Sequence, residues 1–247
     1  NMKKLIVANW KMNPETPREA RELFGATKKA ATKSKARVVV CPPAVFLPLL
    51  KSASNVALGA QDAYPAASGA YTGFVSASMV AYSGAQYVII GHSERRAAGE
   101  GDDLINQKIK WSLKSNLKII LCVGERERDH DGKYLNIIKE QLEKDLVGLS
   151  RDNFTNLIIA YEPVWAIGAA AKASDTPEGF REQAIFIRKV LSMLVGAKVA
   201  LGVPVLYGGS VDTTNAKSFL TDGHADGLLV GRASLRADIF VEILKQA

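Results

Sequence analysis

The chain has little cysteine, little histidine and no long apolar run. Its 247 residues include two cysteines and three histidines. Cys41 and Cys122 each close a β-like run, "RVVVC" and "KIILC". Buried thiols in a reducing compartment fit that placement better than a disulfide framework. Two cysteines cannot make a zinc site alone, and His92, His130 and His224 show no ligand spacing, so no metal is expected. No stretch of about 18 apolar residues occurs, so no membrane-spanning helix is expected. The opening "KKLIVANW" turns polar too soon for a secretory signal, and the expectation is a cytoplasmic protein. Aromatics make up 7% of the chain and do not interleave with its basic residues. The formal charge is +7, yet the lysines and arginines scatter over helix-like segments such as "ATKKAATKSKAR". They form no recognition-helix, zinc-finger or single-strand-binding pattern. The charge reads as a solvated basic surface, and no nucleic-acid partner is expected.

What the chain does have is a cadence of short apolar runs. They fall at 4–10, 36–42, 55–61, 86–92, 117–125, 156–163, 203–210 and 225–231. Each is apolar continuously rather than alternately, as strands buried on both faces require. Between most of them lie segments of helical periodicity. One spans 176–195, with Pro177 suited to a first helical turn; another spans 101–116, opened by acids and closed near Lys114. Eight strands alternating with helices, and no linker-like stretch, predict one (β/α)8 barrel domain over 1–247. The competing open doubly wound sheet would carry a glycine-rich turn after its first strand. Here that turn reads "ANWKMNPET", which holds no glycine.

In a barrel of this kind the chemistry sits at the C-terminal ends of the strands. Those ends carry Asn9 and Lys11, His92-Ser93-Glu94, Glu162, Gly208-Gly209-Ser210, and Gly231-Arg232. A carboxylate, a histidine, a lysine and small turns on one rim form a site able to hold an anion and move a proton. Abstracting a proton next to a carbonyl needs a positioned base and donors aimed at the oxygen that becomes negative. Glu162, in "LIIAYEPVWAIGAAAKAS" (157–174), closes a buried strand. A strand-end Glu is more often a helix cap or a surface acid. Partial burial beside Pro163 and Trp165 would raise its pKa and make it a better base. His92 opens the helix-like "SERRAAG", whose N-terminus disfavours a charged imidazole. Cys122 reads as packing.

Five strings, "ANWKMN" (8–13), "YVIIGHSERR" (87–96), "AYEPVWAIG" (160–168), "YGGSV" (207–211) and "LLVGRASL" (228–235), resemble the motifs of the triosephosphate isomerase family in order and spacing. The likeness spans the whole chain, and "GHSERR" and "AYEPVWAIG" are too specific for chance. The resemblance implies interconversion of dihydroxyacetone phosphate and glyceraldehyde 3-phosphate without metal or cofactor. It makes Glu162 the proton-shuttling base, His92 the neutral electrophile and Lys11 the group that holds substrate and offsets enediolate charge. Asn9 would help to fix the pocket, and Ser93 and Glu94 would orient it. Gly168, Ser210, Gly231 and Arg232 would offer backbone N–H groups to the phosphate. It also implies a homodimer through the 61–79 loop, with Thr72 reaching the neighbour's Asn9 and His92 region.

Three departures stand out. The family's lid usually continues "AIGTGKTA", and here alanines occupy 169–171 in a longer segment. Arg232 stands where the family has a second glycine; either its N–H alone serves, or its guanidinium adds to the phosphate site. Phe74 stands where the family usually has a Glu that pairs across the interface with the residue here numbered Arg95. Phe74 would leave Arg95 without that carboxylate, with the ring stacking on the guanidinium or adding apolar contact. Two competing readings follow. One is another phosphate-binding barrel enzyme, disfavoured by the joint presence of Asn9, Lys11, His92 and Glu162. The other is a barrel scaffold with impaired catalysis.

Overall fold

Continuous apolar runs can satisfy their backbones only beside one another, and these runs do so by closing a ring. The computed structural model describes residues 3–129, 131–167 and 175–247. The strands are β1 (Leu5–Asn9), β2 (Arg37–Cys41), β3 (Val56–Ala60), β4 (Ala85–Ile90), β5 (Lys118–Val123), β6 (Leu157–Tyr161), β7 (Val205–Tyr207) and β8 (Gly227–Val230). They pair in parallel and in chain order, and β8 returns to β1 to close the barrel. Among the described residues the α-helices are α1 (Pro17–Ala31), α2 (Ala77–Tyr82), α3 (Ser93–Ala97), α4 (Asp102–Lys114), α5 (Tyr134–Asp145), α6 (Pro177–Val195), α7 (Ala197–Ala200), α8 (Ala216–Thr221) and α9 (Ala237–Lys245). The (β/α)8 architecture expected from the runs is the one observed.

The two faces of each strand serve two cores. Val7, Val39, Cys41, Ile89, Ile120, Cys122, Ala160 and Leu206 fill the barrel interior. Their neighbours, among them Ile6, Ala8, Val38, Val40, Val88, Ile119 and Ile159, pack outward under the helices. This double burial is why polar alternation is missing from the strands. Helix starts are chemically marked. Thr16 caps α1 in a full capping box with Glu19, and Pro17 supplies a preset first turn. Thr176 caps α6 through the N–H of Gly179, again with a proline behind it. Because all eight strands run parallel around the ring, their C-terminal ends meet at one rim.

Candidate active site

Glu162 follows β6 directly and is 3% exposed. Its backbone N–H donates to Val123 O at 2.8 Å, tying it to the end of β5. The carboxylate accepts from Ser93 N–H at 2.9 Å and from the Ser93 hydroxyl at 3.3 Å. His92 Nε2 lies 3.0 Å from its Oε1. Three donors on one buried carboxyl suit an ionised carboxylate. Close approach around it depends on glycine. A Cβ on Gly124 would stand 1.8 Å from Glu162 O, and one on Gly208 would stand 3.1 Å from Glu162 Cγ. Cys122 packs fully buried in the barrel interior. Burial, with the Glu162 charge beside it, pushes the thiol well above its ordinary pKa.

His92 is the N-cap of α3, and its Nδ1 accepts the N–H of Glu94 at 3.2 Å. An acceptor nitrogen carries no proton, so the ring N–H is on Nε2, pointed at Glu162. Lys11 adopts the left-handed backbone region, φ +53, which costs a non-glycine residue roughly 1–2 kcal/mol. Two contacts hold it there. Its N–H donates to Asn9 Oδ1 at 3.0 Å, and the Gln61 amide donates to its carbonyl at 2.7 Å. This turn carries the Lys11 ammonium to Glu94 Oε1 at 2.5 Å. Burial works to raise the Glu94 carboxyl, but the hydrogen bond and charge of Lys11, with His92 nearby, leave it below its ordinary value.

Asn9, Lys11, His92, Glu162, Ser210, Gly231 and Arg232 line one cavity of about 590 Å³. Ser210 donates its hydroxyl to Ala166 O at 2.9 Å, and the Arg232 side chain is exposed at the rim. Glu94 faces a neighbouring cavity of about 330 Å³, shared with Asn9, Lys11, His92, Phe74 and Arg95. Gly168 and the alanines at 169–171 lie outside the described residues. Just before them, the buried Glu125 carboxylate gathers Tyr161 Oη at 2.8 Å, Trp165 Nε1 at 2.8 Å and Arg128 Nε at 3.1 Å.

A model of one protein family, triosephosphate isomerase, matches residues 4–247. The chain belongs to the triosephosphate isomerase family. Curated proteins named triosephosphate isomerase support this along the whole length. The one from Carboxydothermus hydrogenoformans is 44% identical, covering 98% of this chain and 98% of its own. The one from Roseiflexus sp. (strain RS-1) is 42% identical over 97% of this chain and 96% of its own. The one from Fusobacterium nucleatum is 42% identical over 99% of each. The triosephosphate isomerase family gives the barrel fold its common name, TIM barrel.

The family's cross-interface carboxylate is absent at Phe74, but Arg95 has others within its own chain: its Nη2 lies 2.9 Å from Asp62 Oδ2, and its Nε donates to Glu100 Oε1 at 2.7 Å. The Phe74 ring packs on Tyr64, with centroids 4.3 Å apart, rather than on the guanidinium. Reading the sequence missed Asp62, Gln61, Glu125 and Gly124. Their signal lies in side chains that meet only after the ring closes.

Proposed function

We propose that the chain interconverts dihydroxyacetone phosphate and D-glyceraldehyde 3-phosphate by proton transfer through an enediolate, as a single barrel domain over 1–247. The observation that carries this reading is the 3.0 Å contact between Glu162 Oε1 and His92 Nε2, set over a cavity that also holds Lys11 and Asn9. It sets a carboxyl acceptor against an imidazole N–H donor, which is what carbon-acid chemistry needs. Glu162 leaves Ser93 and takes a proton from the carbon next to the carbonyl. The electron pair moves onto the carbonyl oxygen, and His92 Nε2–H donates to the oxygens as charge grows there. The Lys11 ammonium offsets that charge. Glu162 then returns the proton to the adjacent carbon; the hydroxyl proton passes to the former carbonyl oxygen by way of His92 Nε2, and the carbonyl forms at the other position. Asn9 and Glu94 fix Lys11, while Ser210, Gly231, Arg232 and Gly168 receive the phosphate.

The scaffold reading is disfavoured because base, donor and cation converge on one cavity. A coupled assay for interconversion of the two triose phosphates tests the proposal. Turnover at or above about 10 s⁻¹, the enzyme median, supports it, and no turnover refutes it.

The same reading places the protein in the cytoplasm, in glycolysis and gluconeogenesis, as a homodimer built through residues 61–79. Tyr71, Phe74 and Val75 are partly to largely exposed at 45%, 52% and 36%, an apolar edge suited to a second copy. The two buried free thiols suit a reducing compartment.

A further inference from the structure

The helix α3 is a single turn of five residues. A helix that short has no stability of its own, because nucleation costs more than its few hydrogen bonds return. Yet its cap and first two residues, His92, Ser93 and Glu94, contact Glu162 and Lys11. The two arginines that follow peg it in place. On one side Arg96 donates to Gly91 O at 2.8 Å, Asp102 Oδ1 at 2.7 Å, Asp145 Oδ2 at 2.6 Å and Cys122 O at 3.1 Å.

On the other side Arg95 reaches Asp62 and Glu100. Lys108, 1% exposed, sits between the same two acids. Its ammonium is 2.8 Å from both Asp62 oxygens and 2.6 Å from Glu100 Oε1. Two cations and two carboxylates therefore balance inside one chain. Asp62 cannot be spared from the set. Arg95 and Lys108 already share Glu100 Oε1, and Glu100 Oε2 is buried without a hydrogen-bond partner among the described residues. Asp62 also follows Gln61, whose amide holds the Lys11 carbonyl. The end of β3 thus bears on both members of the Lys11–Glu94 contact.

We propose that Asp62 is a positioning residue for the active site, bracing α3 from the end of β3 so that Lys11, Glu94 and His92 keep their mutual geometry. This rests on the isomerase reading, with Lys11 binding the anionic substrate. Asp62→Asn keeps the size but faces a carboxamide toward two cations, whereas Asp62→Glu restores the charge, with the adjoining 330 Å³ cavity taking the added methylene.

The experiment measures kcat and KM of the full chain and the variants with both triose phosphates, at a temperature where circular dichroism shows each one folded. A full 1 Å misplacement costs on the order of 10²-fold, so a partial shift should cost Asp62→Asn about tenfold in kcat/KM. The loss should lie mainly in KM, with Asp62→Glu recovering most of it. Should Asp62→Asn not fold, Arg95→Lys, which keeps the charge but loses the reach to Asp62, is expected to show the same rise in KM. A folded Asp62→Asn with unchanged kcat/KM overturns the proposal, as does an unchanged Arg95→Lys where Asp62→Asn fails to fold. An inactive parent chain overturns the isomerase reading itself and the proposal with it, and is seen before any variant is compared.

Discussion

Shortening the proposed base by one methylene, Glu162→Asp, isolates its position from its chemistry. The carboxylate now spans Ser93 N–H at 2.9 Å and His92 Nε2 at 3.0 Å. Removing one carbon–carbon bond, about 1.5 Å long, withdraws it by about 1 Å once the side chain re-extends. The backbone cannot advance to make up the difference. Its N–H is bonded to Val123 O at 2.8 Å, and Gly124 packs so closely that an added Cβ would overlap Glu162 O. A displacement near 1 Å costs on the order of 10²-fold, or about 2.7 kcal/mol in the barrier. The loss belongs to kcat, because Lys11, Asn9 and the phosphate-side residues are untouched. Initial rates in a coupled assay, in both directions and over a range of substrate concentration, separate the two constants. A variant as fast as the parent, or one whose loss lies wholly in KM, removes Glu162 from proton transfer.

Other outcomes follow from the same structure. An enediolate phosphate reached by water can eliminate phosphate to give methylglyoxal, which a closing lid prevents. Alanine favours helical backbone over glycine by up to about 1 kcal/mol, so the combined Ala169→Thr, Ala170→Gly and Ala171→Lys variant, which restores the family's lid string, should release less methylglyoxal per turnover; a parent with no measurable leak refutes this. Arg95 is paired by Asp62 and Glu100 within its own chain, so association of the proposed dimer, measured by sedimentation, should change less than about threefold when salt is raised until the screening length falls to about 3 Å. Phe74→Ala should weaken that association at any salt, and a fully active monomeric parent refutes the interface. Burial pushes the Asp175 carboxyl up to about 6, against the pull of the Thr176 N–H and Arg128. An acid raised in the fold stabilises it below the ordinary value near 3.8 and loses that contribution as pH rises through 6. Asp175→Asn should therefore gain on the parent by on the order of 2 kcal/mol from about pH 4 to 7 in urea unfolding, and a difference of opposite sign refutes it.

The barrel was legible because the strands are buried on both faces, so polar residues such as Arg37, Gln86 and Asn9 fall only near their ends. Boundaries were less so. The run 203–210 forms a ladder only over Val205–Tyr207, since Pro204 has no N–H to give and the glycines turn into the site. Glu162, His92, Lys11 and Asn9 could be found because a barrel rim collects strand ends. Asp62 could not, although it stands at a strand end too. Its weight comes from Lys108, 46 residues on, which lies on a helix that reads as an ordinary amphipathic surface. The same blindness hid the partners of Arg95 within its own chain. A missing acid at position 74 is visible in sequence; an acid arriving at Arg95 from the end of β3 is not.

One turn of helix meets two demands that pull in opposite directions. In the proposed mechanism Glu162 has to act as a base and His92 beside it as a neutral donor, although the two sit 3.0 Å apart and a buried carboxylate would ordinarily draw a proton onto its neighbour. The start of α3 resolves this with the N–H groups that every helix leaves unpaired in its first turn. The N–H of Ser93 goes to Glu162 Oε2 and the N–H of Glu94 goes to His92 Nδ1. The first favours negative charge on the base. The second forbids a proton on Nδ1, because an imidazolium there would set one N–H against another. Consecutive backbone groups cannot be repositioned separately, so whatever tilts α3 disturbs both contacts together. The pegs on Arg95 and Arg96 therefore bear on both hydrogen bonds at once.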